Sequence, residues 1–283
     1  DVAVAFGVEK MFMPDMAEAQ TNMTCVLDRE FDGINGISAP PFFAMTAQRH
    51  MYEFGTTKEQ MALVSVKNHH YSTMNPLAQF QKETTVEEVL KSLAVAPPLS
   101  LFDCSGITDG AAGIILVPAE NAKVYTDTPM YLVGSGQASI GNVIGNLANF
   151  TEWVPLRMAA EETFKTAKIA LKDIDIAELH DCFTISEIME YEAFGWCKKG
   201  QGGKFIENGE PYIGGTIAVN PRGGLLGCGH PLGATAILQA LDILQQFRGE
   251  VPKGRHVKDA ETAVAHNLSG AANVHSILAY KRS

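Results

Sequence analysis

Segments with the spacing of strands and helices alternate in the second half of the chain. The pattern predicts strands at 131–133, 176–180, 217–219, 262–266 and 274–280, and helices at 156–171, 184–194 and 234–247. Read along the chain, this is the order βαβαβαββ. Such an order predicts a layered α/β domain, because amphipathic helices bury their apolar faces against a sheet.

The first 120 residues have a less regular pattern. A strand predicted at 2–6 is followed by a long, irregular, helix-containing insertion before the chain returns to a strand at 113–117. Within the insertion, helical spacing recurs at 42–54 and 58–69, and a pair of prolines marks the start of the first of these helices. We therefore expect a strand, an insertion and a second strand ahead of the alternating region.

A glycine-rich run at 220–235 contains one histidine, His230, directly ahead of the helix predicted at 234–247. Four glycines precede His230, and each allows the backbone a positive φ or a close approach to other atoms. A helix N-terminus beside the imidazole would favour a thiolate, an enolate or a phosphate. We interpret the run as an active-site turn; the alternative is a buried histidine bonded to a backbone carbonyl.

A second group of reactive side chains follows the strand predicted at 176–180. In open α/β sheets such groups lie beyond the carboxyl ends of the strands. His180 and Cys182 are two residues apart, so on an extended strand end their side chains would point to the same side. An imidazole and a thiol there are suited to acid–base chemistry at carbon. The alternative is a structural cysteine and a His180 that pairs with Asp181 on the surface.

The third motif is the end of the strand predicted at 262–266, where the sequence continues into small residues. Asn267 could donate to a developing oxyanion, and Ser269 with Gly270 could bring backbone N–H groups close to it. A tight hairpin into the strand predicted at 274–280 would explain the same residues without a function.

Together, in this order and at this spacing, the three motifs resemble those of the thiolase superfamily, and most closely its branch of sterol carrier protein-type and archaeal-type thiolases. Ordinary thiolases carry Asn-Glu-x-Phe where this chain has His-Asp-Cys-Phe at 180–183, and Cys-x-Gly where it has Asn-Leu-Ser at 267–269. Similarity also extends over 1–11, 67–79 and 105–112, so that it covers nearly the whole chain.

The resemblance implies a thiolase-like α/β fold, built of layered βαβαβαββ halves with a helical insertion in the first half. Residues 1–120 would be the C-terminal part of the N-terminal thiolase domain, including the loop insertion. Residues 121–283 would form the C-terminal thiolase domain.

The resemblance also implies the chemistry, which is acyl transfer to and from coenzyme A with formation or cleavage of a carbon–carbon bond, as in acetoacetyl-CoA. His230 would be the base that activates a nucleophilic cysteine. Cys182 would take the α-proton of the second acyl-CoA and return it on cleavage. His180 would donate to the enolate oxygen, directly or through water. Asn267 would help to orient His230 or the transferred acyl group.

The family's nucleophilic cysteine precedes the strand that the segment 2–6 resembles, so it would lie upstream of residue 1. None of Cys25, Cys104 and Cys197 lies at that position. The chain opens without Met on an apolar strand that favours neighbours on both sides, and we expect the sequence to be incomplete at its N-terminus.

The composition excludes some classes of partner. A net charge of −10 argues against a nucleic-acid or membrane-surface role, and no apolar run reaches membrane-spanning length. Five irregularly spaced cysteines and no visible signal peptide predict a disulfide-free cytoplasmic protein, or a peroxisomal one in a eukaryote.

Coenzyme A would be a substrate, with no tightly bound cofactor. Its phosphates would have to meet local basic residues, for which the candidates are Lys67, Lys198, Lys199, Lys204 and Arg222. We expect no metal, because the chain has neither a CxxC pair nor an HExxH motif.

Two alternatives remain open for the function. One is an aldolase of the same fold that acts on an acyl-CoA side chain and needs no nucleophilic cysteine. The other is a non-catalytic thiolase-like scaffold subunit, against which three titratable groups at strand ends argue. The resemblance further implies a homodimer or homotetramer and, in some of this branch, a partner protein with a zinc ribbon and an OB-fold.

Overall fold

The computed structural model describes residues 1–13, 15–141, 144–147 and 149–283. The described strands are β1 (Ala3–Glu9), β2 (Ala94–Ala96), β3 (Leu99–Ser100), β4 (Gly110–Leu116), β5 (Met130–Ser139), β6 (Ile176–Glu178), β7 (Ala218–Val219), β8 (Thr262–Ser269) and β9 (Val274–Arg282). The described α-helices are α1 (Met16–Met23), α2 (Ala39–Phe54), α3 (Lys58–Ser72), α4 (Val86–Lys91), α5 (Ala122–Tyr125), α6 (Val154–Ala167), α7 (Thr184–Phe194), α8 (Gly202–Glu207), α9 (Gly224–Cys228) and α10 (Thr235–Arg248).

A five-stranded sheet in the order β5-β9-β8-β6-β7 organises the second half of the chain. Strand β6 runs parallel to β7 and β8, whereas β9 is antiparallel to both β8 and β5. The predicted βαβαβαββ order is confirmed, with the short helices α8 and α9 as additions. The hairpin predicted as an alternative for the third motif is also present, since Ser269 pairs with Val274 across β8 and β9.

Helices cover both faces of this sheet. Along β8, Ala263 and Ala265 belong to a cluster with Ile243 of α10, whereas Val264 between them belongs to the larger core that contains α6 and α7. This alternation follows from the two-residue repeat of a strand. Because β6 ends between the two layers, a side chain just beyond it is enclosed by helices from both.

The predicted element boundaries differ from the observed ones by a few residues. Helix α6 ends at Ala167 rather than at 171, because Lys168 takes a left-handed conformation with φ 55° and terminates it. The strand predicted at 131–133 extends over the whole of β5, and the strand predicted at 176–180 ends at Glu178.

The first part of the chain follows the predicted strand, insertion and strand. Strands β1 and β4 pair with each other in antiparallel register and lie beside α10. Within the insertion, α3 begins at a capping box in which Thr57 and Gln60 bond each other's backbone N–H groups, and it packs against α7, α8 and α9. A domain boundary near residue 120 stays a prediction.

Candidate active site

His230 and His180 meet at the edge of the sheet. His180 follows β6, and His230 lies in the turn between α9 and α10. Their ring centroids are 4.7 Å apart at an interplanar angle of 88°. Both side chains are nearly enclosed, with exposed fractions of 4% and 8%. Two residues predicted from separate motifs thus lie in direct contact.

The hydrogen bonds of His230 define its tautomer. The Thr235 hydroxyl donates to the Pro231 carbonyl at 2.9 Å, so its oxygen accepts at the 2.8 Å contact with His230 Nδ1. His230 therefore carries its proton on Nδ1, which leaves the lone pair on Nε2. Burial, with smaller contributions from His180 and Arg222, lowers the pKa of His230 well below its ordinary value. A neutral imidazole with a free Nε2 is the form that a general base requires.

A longer chain of bonds defines the tautomer of His180. The Gln239 amide donates to backbone carbonyls, including that of Leu179 at 3.1 Å, so its oxygen accepts from Asn267 Nδ2 at 2.6 Å. The Asn267 oxygen then accepts from His180 Nδ1 at 3.1 Å. His180 is therefore also protonated on Nδ1. The structure pairs Asn267 with His180, whereas the predicted role of Asn267 was to orient His230 or the transferred acyl group.

A pH titration tests this description of His180. Burial lowers the pKa of His180 to about 4, although the hydrogen bond between His180 and the Asn267 side chain opposes this shift. Because the neutral form is favoured, we expect nitrogen-15 NMR of the imidazole to report the Nδ1–H tautomer with no protonation between about pH 7 and pH 5.5. A midpoint at or above the ordinary histidine value would contradict the enclosed geometry.

Cys182 lies two residues ahead of α7, in a turn rather than on an extended strand end. Its backbone N–H donates to the His180 carbonyl at 2.9 Å, which is a tight turn, and its Sγ lies 3.7 Å from Ser186 Oγ. The predicted extended geometry is wrong because the strand has already ended at Glu178. Burial raises the pKa of the Cys182 thiol well above its ordinary value. Cys182 is therefore a protonated thiol, the form that can donate a proton.

Asp181 is the buried connection between two of the motifs, and the predicted alternative of a surface pair with His180 is wrong. Its carboxyl accepts from the backbone N–H groups of Leu225 at 2.7 Å and Leu226 at 3.1 Å, and from Asn68 Nδ2 at 2.7 Å. The connection requires a glycine at 224, where φ is +60° and a Cβ would overlap the carboxyl. Burial and nearby Glu187 raise the pKa of Asp181 to about 7.

Lys67 belongs to the support beneath the site. Its side chain is fully buried, and its Nζ lies 3.0 Å from Glu187 Oε1 and 2.9 Å from the Val219 carbonyl. Glu187 also accepts from Asn68 at 2.8 Å and Asn220 at 2.6 Å. The prediction that Lys67 is available to coenzyme A is therefore wrong. Arg222, proposed for the same role, is also buried.

A row of buried groups behind His180 was not predicted. Glu190 accepts from the His180 backbone N–H at 3.2 Å and lies 3.0 Å from His266 Nδ1. His266 Nε2 lies 2.9 Å from His275 Nδ1, and His275 Nε2 donates to the Ala272 carbonyl at 2.8 Å. Since that carbonyl only accepts, His266 must donate to His275. Burial raises the pKa of Glu190 well above its ordinary value, so Glu190 is protonated.

The signal that could have revealed this row is the acidic content of α7. Glu187 and Glu190 interrupt a segment that is otherwise mostly apolar, and charged side chains are rarely buried unless they have partners. Periodicity predicted a helix at 184–194 but assigned no partner to either carboxyl.

Two further properties bear on the chemistry. Among the residues that the structure describes, no three His, Cys, Asp or Glu side chains are grouped so that they could hold a metal ion. Over the same residues, no helix combines the length and apolar character needed to cross a membrane.

Comparisons with known proteins agree with the fold and the motifs. Residues 136–282 match the family model for a thiolase C-terminal domain-like region. An acetyl-CoA acetyltransferase of Methanothermobacter thermautotrophicus is 45% identical over 282 residues, which are all of this chain and 73% of that protein. Sterol carrier protein 2 of Bos taurus is 35% identical over 95% of this chain and 51% of its own length.

A solved structure supports the same fold. An Ltp2–ChsH2(DUF35) aldolase superimposes with a TM-score of 0.83 and 23% sequence identity, over 98% of this chain and 72% of that one. At that identity the likeness concerns the fold. Taken with the sequence matches, it leads to one conclusion: the chain belongs to the thiolase family and is an acyltransferase.

Proposed function

We propose that the protein catalyses the thiolase reaction, which is the condensation of two acyl-CoA molecules or the thiolytic cleavage of a 3-oxoacyl-CoA such as acetoacetyl-CoA. The observation that carries the proposal is the contact between two neutral histidines, His230 and His180, that both hold their proton on Nδ1. Two lone pairs are thereby available at an enclosed site. Such a site suits proton transfer at a thiol and at an adjacent carbon.

In this mechanism His230 takes the proton of the nucleophilic thiol. The thiolate then attacks the thioester carbonyl, because a thiolate is a far better nucleophile than a thiol. The nucleophile of this family is a cysteine, and none of Cys25, Cys104 and Cys197 lies at its position in the motif order. Within this chain, Cys228 is the cysteine nearest to His230 in sequence, but its thiol donates to the Arg222 carbonyl at 3.0 Å. We therefore assign Cys228 no catalytic role.

Cys182 is the proposed acid and base at the α-carbon. In cleavage its thiol gives a proton to the carbanion as the carbon–carbon bond breaks. In condensation Cys182 first gives its proton to the coenzyme A thiolate that leaves the first acyl-CoA, and the Cys182 thiolate so formed takes the α-proton of the second acyl-CoA. The raised pKa of Cys182 favours the protonated form at rest, which suits the cleavage direction.

The tautomer of His180 supports action through water at the enolate oxygen. With Nδ1–H committed to Asn267, the neutral ring offers a lone pair at Nε2, which accepts a hydrogen bond and does not donate one. A water bound there could donate its other proton to the developing oxyanion. Asn267 is then a positioning residue for His180.

Substitution of His180 tests this proposal. We expect His180→Ala to lower kcat for acetoacetyl-CoA thiolysis on the order of a hundredfold, the usual cost of removing one oxyanion contact. His180→Asn should retain more activity, because an amide can donate to the oxyanion itself. The matched control is His70→Ala, since His70 is exposed and lies outside the site. Unaltered thiolysis in His180→Ala would contradict the assignment.

The covalent intermediate separates the thiolase from the two alternatives. A thiolase incubated with acetoacetyl-CoA gains the mass of an acyl group on a cysteine. An aldolase of the same fold would break a carbon–carbon bond without that adduct, and a scaffold subunit would do neither. Mass spectrometry of the intact protein after mixing distinguishes the three.

We also propose that the protein works as an oligomer or with a partner protein. Strand β1 carries exposed apolar side chains at Val4, Phe6 and Val8, and contiguous apolar surface of this kind commonly marks an interface. The aldolase of similar fold is described with a DUF35 protein, which supports a search for such a partner here.

A further inference from the structure

Arg222 is a buried cation whose guanidinium has no hydrogen-bonded partner in the described part of the chain. Arg222 is only 5% exposed. Its Nη1 atom is buried and forms no hydrogen bond with any described residue. The backbone of Arg222 is well bound, since its N–H donates to Glu178 at 3.1 Å and its carbonyl accepts from Asn75 at 3.1 Å. The guanidinium, however, forms no ion pair with any carboxylate of the described residues. Leaving such a group unpaired in the interior is costly.

Neither of two neighbouring acidic groups, Asp242 and Glu178, forms an ion pair with this guanidinium. Asp242 forms an ion pair with Arg255. The Nη1 atom of Arg255 lies 2.8 Å and 3.1 Å from the two carboxylate oxygens of Asp242. Burial and the proximity of Asp242 raise the pKa of Glu178 to about 8, so that it is mostly neutral near pH 7. Arg222 therefore has acidic neighbours but no hydrogen-bonded counter-ion among the described residues.

Arg222 lines a cavity of about 190 Å³. This volume is well above what a single water requires. Much of the wall is apolar, and the lining residue Leu77 is largely exposed to solvent. Of the other polar groups in the wall, Asn75 bonds the Arg222 carbonyl and Asp109 accepts from the backbone of Met11 at 2.8 Å. Among the described residues, the polar side chains of the wall that have no hydrogen-bonded partner are those of Arg222 and the half-buried Gln245. The apolar lining comes from Leu77, Ala111, Pro231, Leu238 and Leu241.

We propose that this cavity binds a monocarboxylate with a short apolar tail, held by the fork of the Arg222 guanidinium. The planar guanidinium matches a carboxylate in two parallel hydrogen bonds, and the leucine side chains would contact the tail. A single negative charge fits best, because Asp109 and Asp242 also line the cavity and would repel a dianion such as phosphate.

The site is separate from the proposed catalytic residues and does not depend on the thiolase assignment. It nevertheless adjoins them, because Pro231 lines the cavity and directly follows His230 in the chain. An occupant that packs against Pro231 would therefore contact the turn that carries His230.

Thermal unfolding with sodium butyrate as the probe tests the proposal, with sodium chloride at equal ionic strength as the reference. We expect butyrate to raise Tm in a saturable way, and Arg222→Gln to weaken the apparent affinity at least tenfold. The matched control is Arg157→Gln, which removes an exposed arginine on α6. A butyrate response that is absent, or equal in Arg222→Gln, would overturn the proposal. An equal response to inorganic phosphate through Arg222 would overturn the choice of a monocarboxylate.

A crystal soaked with 3-bromopropionate gives a second measurement that needs no variant. Anomalous bromine density in the cavity, with the carboxylate on Arg222, would support the site. Bromine density only elsewhere, or none at saturating concentration, would refute it.

Discussion

Replacement of His230 by alanine is expected to lower the rate of acetoacetyl-CoA thiolysis on the order of a thousandfold, within the range typical of a lost general base. The variant loses the lone pair at Nε2 that would accept the thiol proton. The loss should exceed that of His180→Ala, because His230 serves nucleophile activation rather than one oxyanion contact. Partial rescue by added imidazole would identify the missing group as a base.

The hydroxyl of Thr235 provides the matched comparison. Thr235→Val removes the acceptor that holds His230 in the Nδ1–H tautomer but keeps the shape of the side chain. We expect a loss of about two- to tenfold, since one neutral hydrogen bond contributes about 0.5–1.5 kcal/mol. If Thr235→Val left the rate unchanged while His230→Ala abolished it, the tautomer argument would fail and the base assignment would remain.

Replacement of Lys67 by methionine is expected to lower the free energy of unfolding by about 3–5 kcal/mol, the usual cost of removing one partner of a buried ion pair. The ammonium is fully enclosed and lies 3.0 Å from Glu187. Without it, Glu187 remains buried opposite an apolar side chain. Urea unfolding monitored by circular dichroism measures the change.

The double variant Lys67→Met with Glu187→Gln is the control for this prediction. It removes both charges and keeps amide atoms for Asn68 and Asn220 to bond. We expect it to recover much of the lost stability, because an uncharged pair has a far smaller desolvation cost. A double variant less stable than Lys67→Met would show that the hydrogen bonds of Glu187, rather than its charge, dominate.

The sequence predicted the sheet, its helices and three of the loops that form the site. These features could be predicted because they depend on nearby residues. The spacing of apolar residues indicates the strands and helices, and the glycines that precede His230 indicate the turn. The meeting of His180 with His230 was implied by the resemblance and could not be obtained from spacing. Residues that distant in sequence are brought together by the order of the strands in the sheet.

The supports of the site were harder to predict, because each depends on a partner far away in sequence. Lysine is usually found on the surface of a protein. Only the packing of α3 against α7 reveals that Lys67 is buried against Glu187. The same holds for Arg222, which the sequence suggested as a surface cation. The extended geometry predicted for Cys182 failed for a related reason, since the chain turns after Glu178 and Asp181 reaches α9.

The carboxyl of Asp181 accepts hydrogen bonds from the backbone N–H groups of Leu225 and Leu226. It therefore caps α9 from another segment of the chain. Helix α9 has only five residues, and its first free N–H groups are satisfied by a carboxyl 44 and 45 positions away in sequence. A helix of that length has no independent stability in water. The native shape of the turn that carries His230 therefore depends on the segment that joins β6 to α7, so that disrupting this segment would also displace the proposed base.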